Sequence, residues 1–129
     1  FKIGSEYSFT NPVCIIKSLN KKKIPIHGNG KNIRHFLSVH DFCRGLVLII
    51  KKTKKGTFNI GSDEKFSNIQ IAKKIQKLIG SSQLIKHVKD RPFNDTRYYV
   101  TNDKLKLLGW EQKISFEEGI KNLWEELRK

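Results

Sequence analysis

Three serines constrain this chain most. Each stands three residues ahead of a carboxylate or amide side chain and directly ahead of an apolar run. Ser38-x-x-Asp41, Ser67-x-x-Gln70 and Ser115-x-x-Glu118 are capping boxes, in which side chains satisfy the free amides of a first helical turn. The first predicts a helix to about Lys52, with Val39, Phe42, Cys43, Leu46 and Ile50 on one face. The second predicts a helix ending at Gly80, with Ile71, Ala72, Ile75 and Leu78 inward. The third predicts a final helix with Phe116, Ile120, Leu123, Trp124 and Leu127 inward. A fourth helix over residues 12–20 follows from Asn11-Pro12, an N-cap with proline at the first helical position, and from Val13, Ile16 and Leu19 at helical spacing.

Short extended segments lie between these helices. Ile24 to His27 leads into a Gly28-Asn29-Gly30 turn, and Ile33 to Val39 alternates as a strand does. Thr57 to Gly61, Leu84 to Val88 and Arg97 to Val100 also read as extended. Asn102 or Thr101 caps a short helix that stops at Gly109. Helices alternating with strands specify an α/β fold, and 129 residues allow one domain, 1–129. No apolar run approaches the roughly 20 residues of a membrane span. The first residues lack an initiator Met and a signal-peptide layout, so the chain reads as a segment of something longer.

The formal net charge is +14. A basic chain can serve an anionic partner: nucleic acid, an acidic membrane or a phosphate-bearing ligand. Lysine outnumbers arginine 21 to 5, Ile and Asn are abundant, and the lysines are evenly scattered. That is the signature of A/T-rich codons, whereas a nucleic-acid surface more often uses arginine with interleaved aromatics. Cys14 and Cys43 form no C-x-x-C pair, and each reads as a small buried residue of a reducing compartment. The four histidines have no metal-ligand spacing.

Catalytic motifs are missing. Position 33 is Ile, so Gly28-x-Gly30 does not extend to G-x-G-x-x-G, and the turn precedes a strand instead of a helix. There is no P-loop, no G-x-S-x-G elbow and no Tyr-x-x-x-Lys. What remains are polar residues at strand ends and loops: Arg34, Asn59, and Arg91, Asn94, Asp95 and Arg97 around Pro92. Guanidinium forks and an amide can clamp a diphosphate. The same residues can equally be a surface arginine, a turn former and local ion pairs.

Beyond these residues the sequence resembles the nucleotide-sugar 4,6-dehydratases of the NAD-dependent epimerase/dehydratase family, within the extended short-chain dehydrogenase/reductases. Ile24 to Arg34 is similar to their "PIHGxGxxxR" segment, and Phe36-Leu37-Ser38-Val39-x-Asp41 to "(Y/F)LYVxD". Gly56 to Gly61 resembles "GxxYNIG", and Asp90 to Tyr98 "RPxxDxRY". Asp103 to Trp110 with Glu117 to Ile120 resembles the "KLxxLGWxxxxxxxEGI" ending. Pro92-Phe93-Asn94-Asp95 and His27 look more like the UDP-glucose branch than the dTDP-glucose one. Residues 1–11 match poorly, and Phe9-Thr10 stands where the family has a Lys-Leu pair.

The resemblance implies a C-terminal substrate lobe plus the edge of a Rossmann-type sheet, without the N-terminal dinucleotide-binding half. It implies that Arg34 and Asn59 contact the diphosphate of a UDP- or dTDP-sugar. Pro25, Ile26 and His27 would line the base and ribose pocket. Asp90, Arg91, Pro92, Phe93 and Asn94 would form the loop closing over the nucleotide. In the complete enzyme NAD takes a hydride from glucose C4, water leaves across C5 and C6, and the hydride returns to C6. No catalytic or NAD-binding group of those steps falls on this chain, so it is expected to bind no NAD and to be inactive alone, in the cytoplasm. Its partner is the missing half or a second copy, because the strands near Leu37 and Ile60 would otherwise expose apolar surface. The alternatives are a 4-epimerase fragment, a basic nucleic-acid-binding module, and a non-catalytic remnant that binds a protein.

Overall fold

The computed structural model describes residues 15–18, 20–53, 55–80, 82, 85–90, 92–93, 96 and 100–129. Its elements are β1 (Ile24–His27), β2 (Ile33–His35), α1 (Val39–Lys52), β3 (Lys65–Ser67), α2 (Asn68–Ile79), β4 (Ile85–Val88), α3 (Asp103–Lys106) and α4 (Phe116–Leu127). Residues 15–18 are also helical. The chain is α/β, with two small sheets. β1 pairs in parallel with β4, Ile24 opposite Ile85 and His27 opposite Val88. β2 pairs antiparallel with β3, Arg34 opposite Phe66.

The core forms where the apolar faces of these elements meet. Ile24 and Ile26 of β1, Ile71, Ala72 and Ile75 of α2, and Phe116 and Ile120 of α4 are all buried, with Ile15 beside them. Each fully buried isoleucine contributes about 1.5–3 kcal/mol. Phe116 anchors the cluster, with Phe36 edge-on at 5.6 Å and Phe66 tilted at 4.9 Å between centroids. At the rim Lys74 of α2 reaches Glu117 of α4 at 2.6 Å. The hydrogen bond and charge of Lys74 hold the Glu117 carboxyl below its ordinary range.

The caps form as their chemistry requires, with one exception. Ser67 accepts from the Gln70 amide while Gln70 returns a bond to the Ser67 amide. Ser115 accepts from the Glu118 amide. Ser38 accepts instead from the His40 amide, because Asp41 turns inward. Its fully buried carboxylate accepts from the Lys113 amide at 3.1 Å and the Ile114 amide at 2.9 Å, and pairs with Arg44. The Asp41 carbonyl also accepts from the indole N–H of Trp110 at 3.1 Å. Gly45, one turn on, permits that approach: a Cβ there would lie 3.1 Å from Trp110 Nε1 and 3.2 Å from Leu105.

Several expectations are corrected. The strand from Ile33 stops at His35, because Ser38 adopts cap geometry and Val39 already opens α1. Residues 57–61 form no strand. They are held by side chains instead, Lys104 Nζ donating to the Thr57 carbonyl at 2.8 Å and Asn102 Nδ2 to that of Gly61 at 2.8 Å. β3 has no counterpart in the sequence reading. Cys43, expected inside, is exposed. Leu78 and Leu127 are 36% and 40% exposed, so the inner faces of α2 and α4 are shorter than their apolar patterns. The extended segment from Arg97 and much of the 12–20 helix lie outside the described residues.

Candidate functional site

Parallel pairing sends the ends of β1 and β4 out on one side, and the sequence has placed polar residues there. The Gly28 amide donates to the Val88 carbonyl at 2.9 Å, extending the ladder by one bond. His27 Nδ1 lies 3.1 Å from the Lys89 carbonyl, and His87 Nδ1 2.7 Å from the Gly28 carbonyl. A carbonyl can only accept, so both Nδ1 atoms carry the proton, and a neutral ring keeps Nε2 as an acceptor. The turn is left-handed at Gly28, with φ of +59°, and a Cβ there would stand 2.6 Å from Asp90 Oδ2. Glycine is thus required twice over, by backbone and by neighbour. His27, Gly28 and Asp90 are brought together, although 62 residues separate His27 from Lys89.

The segment leaving Asp90 returns to β2, where the Ile33 amide donates to the Thr96 carbonyl at 2.9 Å. Its two ends are therefore fixed beside the β1 turn and at the foot of Arg34. Pro92 and Phe93 are exposed, Phe93 by 97%. Arg91 and Asn94 lie outside the described residues. Arg34 is half-buried, and its Nη1 donates to the Ile33 carbonyl at 2.8 Å. Next to it, His35 Nδ1 meets the Ser62 carbonyl at 2.8 Å. This ties β2 to the segment that carries the exposed Asn59. Pro25 and His27 are half-buried, whereas Ile26 is 1% exposed in the core, so Ile26 offers a ligand only its backbone.

Sequence reasoning missed two polar clusters behind this face. Asp41 was read only as a capping partner. Glu64 was not singled out, yet its Oε2 accepts from the Phe116 amide at 2.7 Å and from Gln112 Nε2 at 2.9 Å. No sequence signal pointed to it, because the strand that follows, Lys65-Phe66-Ser67, carries a single apolar residue. Both clusters seat the segment ahead of α4.

A dinucleotide does not fit the Gly28–Gly30 turn. The turn leads into β2 instead of a helix N-terminus, and the Asp90 carboxylate fills the space beside Gly28, where a pyrophosphate would be repelled. Among the described residues no group of three His, Cys, Asp or Glu could hold a metal ion, and no helix is long and apolar enough to cross a membrane.

Residues 6–123 match the family model described as GDP-mannose 4,6 dehydratase. The chain belongs to that family. It is 36% identical over 117 residues to a trifunctional UDP-glucose 4,6-dehydratase/UDP-4-keto-6-deoxy-D-glucose 3,5-epimerase/UDP-4-keto-L-rhamnose-reductase of Arabidopsis thaliana, covering 88% of this chain and 18% of the relative. The fold matches dTDP-glucose 4,6-dehydratase from Bacillus anthracis, solved in complex with NAD, with a TM-score of 0.84 and 31% identity over 92% of this chain and 39% of that one. It also matches UDP-glucose 4-epimerase from Thermotoga maritima, solved with UDP-glucose, with a TM-score of 0.90 and 26% identity over 96% of this chain and 40% of that one. This dehydratase-family chain thus spans two-fifths or less of these relatives, as a partial α/β unit of a Rossmann-type fold.

Proposed function

We propose that residues 1–129 form the nucleotide-sugar-binding portion of an NAD-dependent UDP- or dTDP-glucose 4,6-dehydratase, without catalytic activity as an isolated chain. The observation that carries this is the meeting of the β1 turn with Asp90 at one end of a parallel strand pair, in a chain of this family. Ligands of open α/β sheets bind outside the carboxyl ends of strands. There Pro25, the Ile26 backbone and His27 line the base and ribose, with His27 Nε2 accepting from a hydroxyl or a base N–H. Arg34 and Asn59 bind the diphosphate, the guanidinium by charge-assisted bonds and the amide as an uncharged donor. Asp90, Arg91, Pro92, Phe93 and Asn94 close over the nucleotide, Phe93 supplying a ring for the base to stack on.

When bound, NAD would supply the hydride chemistry from the portion of the enzyme outside this chain. This chain's own residues orient the sugar nucleotide. The likeness to the Thermotoga maritima enzyme favours 4-epimerisation as a second reading, since this portion of the fold is shared by both reactions.

The test is calorimetric titration of this chain with UDP, dTDP and inorganic diphosphate at fixed salt, with single-stranded DNA as control. Saturable binding of UDP or dTDP, tighter than diphosphate, is expected, with UDP ahead of dTDP. DNA binding without nucleotide preference would sink the proposal.

A further inference from the structure

Asn29 is an exposed residue of the β1 turn that the ligand reading leaves without a role. Of the nine asparagines it alone precedes a glycine. Its side-chain Oδ1 accepts from the Lys31 amide at 2.9 Å, so a backbone donor polarises the Asn29 amide carbon. The Gly30 amide nitrogen, next along the chain, donates to the His27 carbonyl at 3.3 Å. That bond is just past the usual length and holds the nitrogen weakly. No larger residue can replace Gly30 to shield this nitrogen. Gly30 has a φ of +71°, and a Cβ there would stand 2.7 Å from Ile26 Cγ2 and 3.1 Å from Ile69 Cβ.

We propose that Asn29 is a site of spontaneous deamidation. The Gly30 nitrogen gives its proton to water and bonds to Asn29 Cγ, closing a five-membered ring. The Lys31 amide stabilises the negative charge that develops on Oδ1. The Cγ–Nδ2 bond then breaks, and Nδ2 takes a proton and leaves as ammonia. Water opens the resulting succinimide at one of its two carbonyls. Opening at Cγ leaves aspartate, and opening at the main-chain carbonyl leaves isoaspartate. The net change is ammonia lost and water gained, with no electron transferred.

Either product puts a carboxylate next to Gly28, where the Asp90 carboxylate already stands. Isoaspartate also lengthens the main chain by one carbon. Gly28 is walled by Asp90, and Gly30 by Ile26 and Ile69, so a longer turn must displace one of them. The added charge repels Asp90, and it repels a diphosphate arriving at this end of the strand pair. That effect on the ligand rests on the reading given under Proposed function, whereas the deamidation does not.

Trypsin releases residues 24–31 with Asn29 as their single asparagine, and residues 56–65 with the exposed Asn59 as theirs. The folded chain would be held at mildly alkaline pH and both peptides followed by mass spectrometry, isoaspartate being identified with an isoaspartyl methyltransferase. Conversion of Asn29 at least about tenfold faster than that of Asn59, which the branched Ile60 follows, is expected. It is also expected to be no slower in the folded chain than in the chain unfolded by guanidinium, since the turn supplies the Lys31 donor. Equal rates at the two asparagines would overturn the inference. So would a folded chain about tenfold slower than the unfolded one, because the turn would then shield Asn29 instead of activating it.

Asn29→Gln, which can close only a larger ring, should leave the 24–31 peptide unconverted, and conversion at the parent rate would again overturn the inference. UDP is expected to bind the aged chain at least about fivefold more weakly than the fresh one. Conversion of Asn29 in a chain that binds neither UDP nor dTDP would support the deamidation while sinking the ligand assignment, so the two failures are separable.

Discussion

Gly28 and Asp90 make each other necessary. The left-handed turn at Gly28 lets the backbone pass under the Asp90 carboxylate, and any side chain at position 28 would meet that carboxylate. Gly28→Ala is expected to cost about 1–2 kcal/mol from the backbone alone. It should also weaken UDP binding by displacing Asp90, as read by thermal denaturation and calorimetry on the same variant. Loss of stability with unchanged affinity would separate the turn from the ligand. Arg34→Ala is expected to weaken UDP binding by about 1.5–3 kcal/mol, the usual scale of a charge-assisted bond. Equal calorimetric affinity of parent and variant would remove Arg34 from the diphosphate. Arg34 was singled out as a polar residue beside a strand, whereas His27 came only from the family resemblance. The motif did not show that alternation along β1 sends the Ile26 side chain to the core.

Among the elements, α2 and α4 follow their capping signatures and periodicity, because both bury an apolar stripe against the same strands. α1 follows its signature in extent but not in orientation. A stripe says that a face will be covered, not by what, and here the intramolecular anchor is a carboxylate. Asp41 holds α1 to the segment before α4, and its loss strands two backbone amides and removes the carboxylate paired with Arg44. Asp41→Ala is expected to destabilise by about 3 kcal/mol, a fall in melting temperature of roughly 10 °C or more. Asp41→Asn, which keeps one acceptor oxygen, should fall between. A shift under about 3 °C for Asp41→Ala would show that the clamp is not what seats α1. β3 was illegible because three residues carry too little period to separate strand from loop. Residues 57–61 carried a strand-like pattern without a strand beside them.

Across the whole molecule, charge and fold give different expectations for the same titration. Lysines forming a nucleic-acid face of six or more phosphate contacts would lose about a thousandfold or more in affinity between 50 and 200 mM salt. A diphosphate held by one or two cations should lose roughly tenfold or less over that range. Titrations with DNA and with UDP, each at the two salt concentrations, distinguish these outcomes. The α/β class and the family were legible from ordered motifs across most of the chain. The exposure of the apolar stripe of α1 was not, because a helical period defines a face without saying which way it turns.

The contacts that define the site also set a timetable. His27 meets Lys89 across 62 residues, and Asp41 meets Ile114 across 73. Closing loops of that length comes late and slows folding, since the entropy is lost before the contact forms. During synthesis β1 must wait for residues 85–88, and the anchored side of α1 for residues 105–114, to emerge. In that interval the nascent polypeptide carries an unpaired strand and a greasy helix together, the combination that chaperones hold apart.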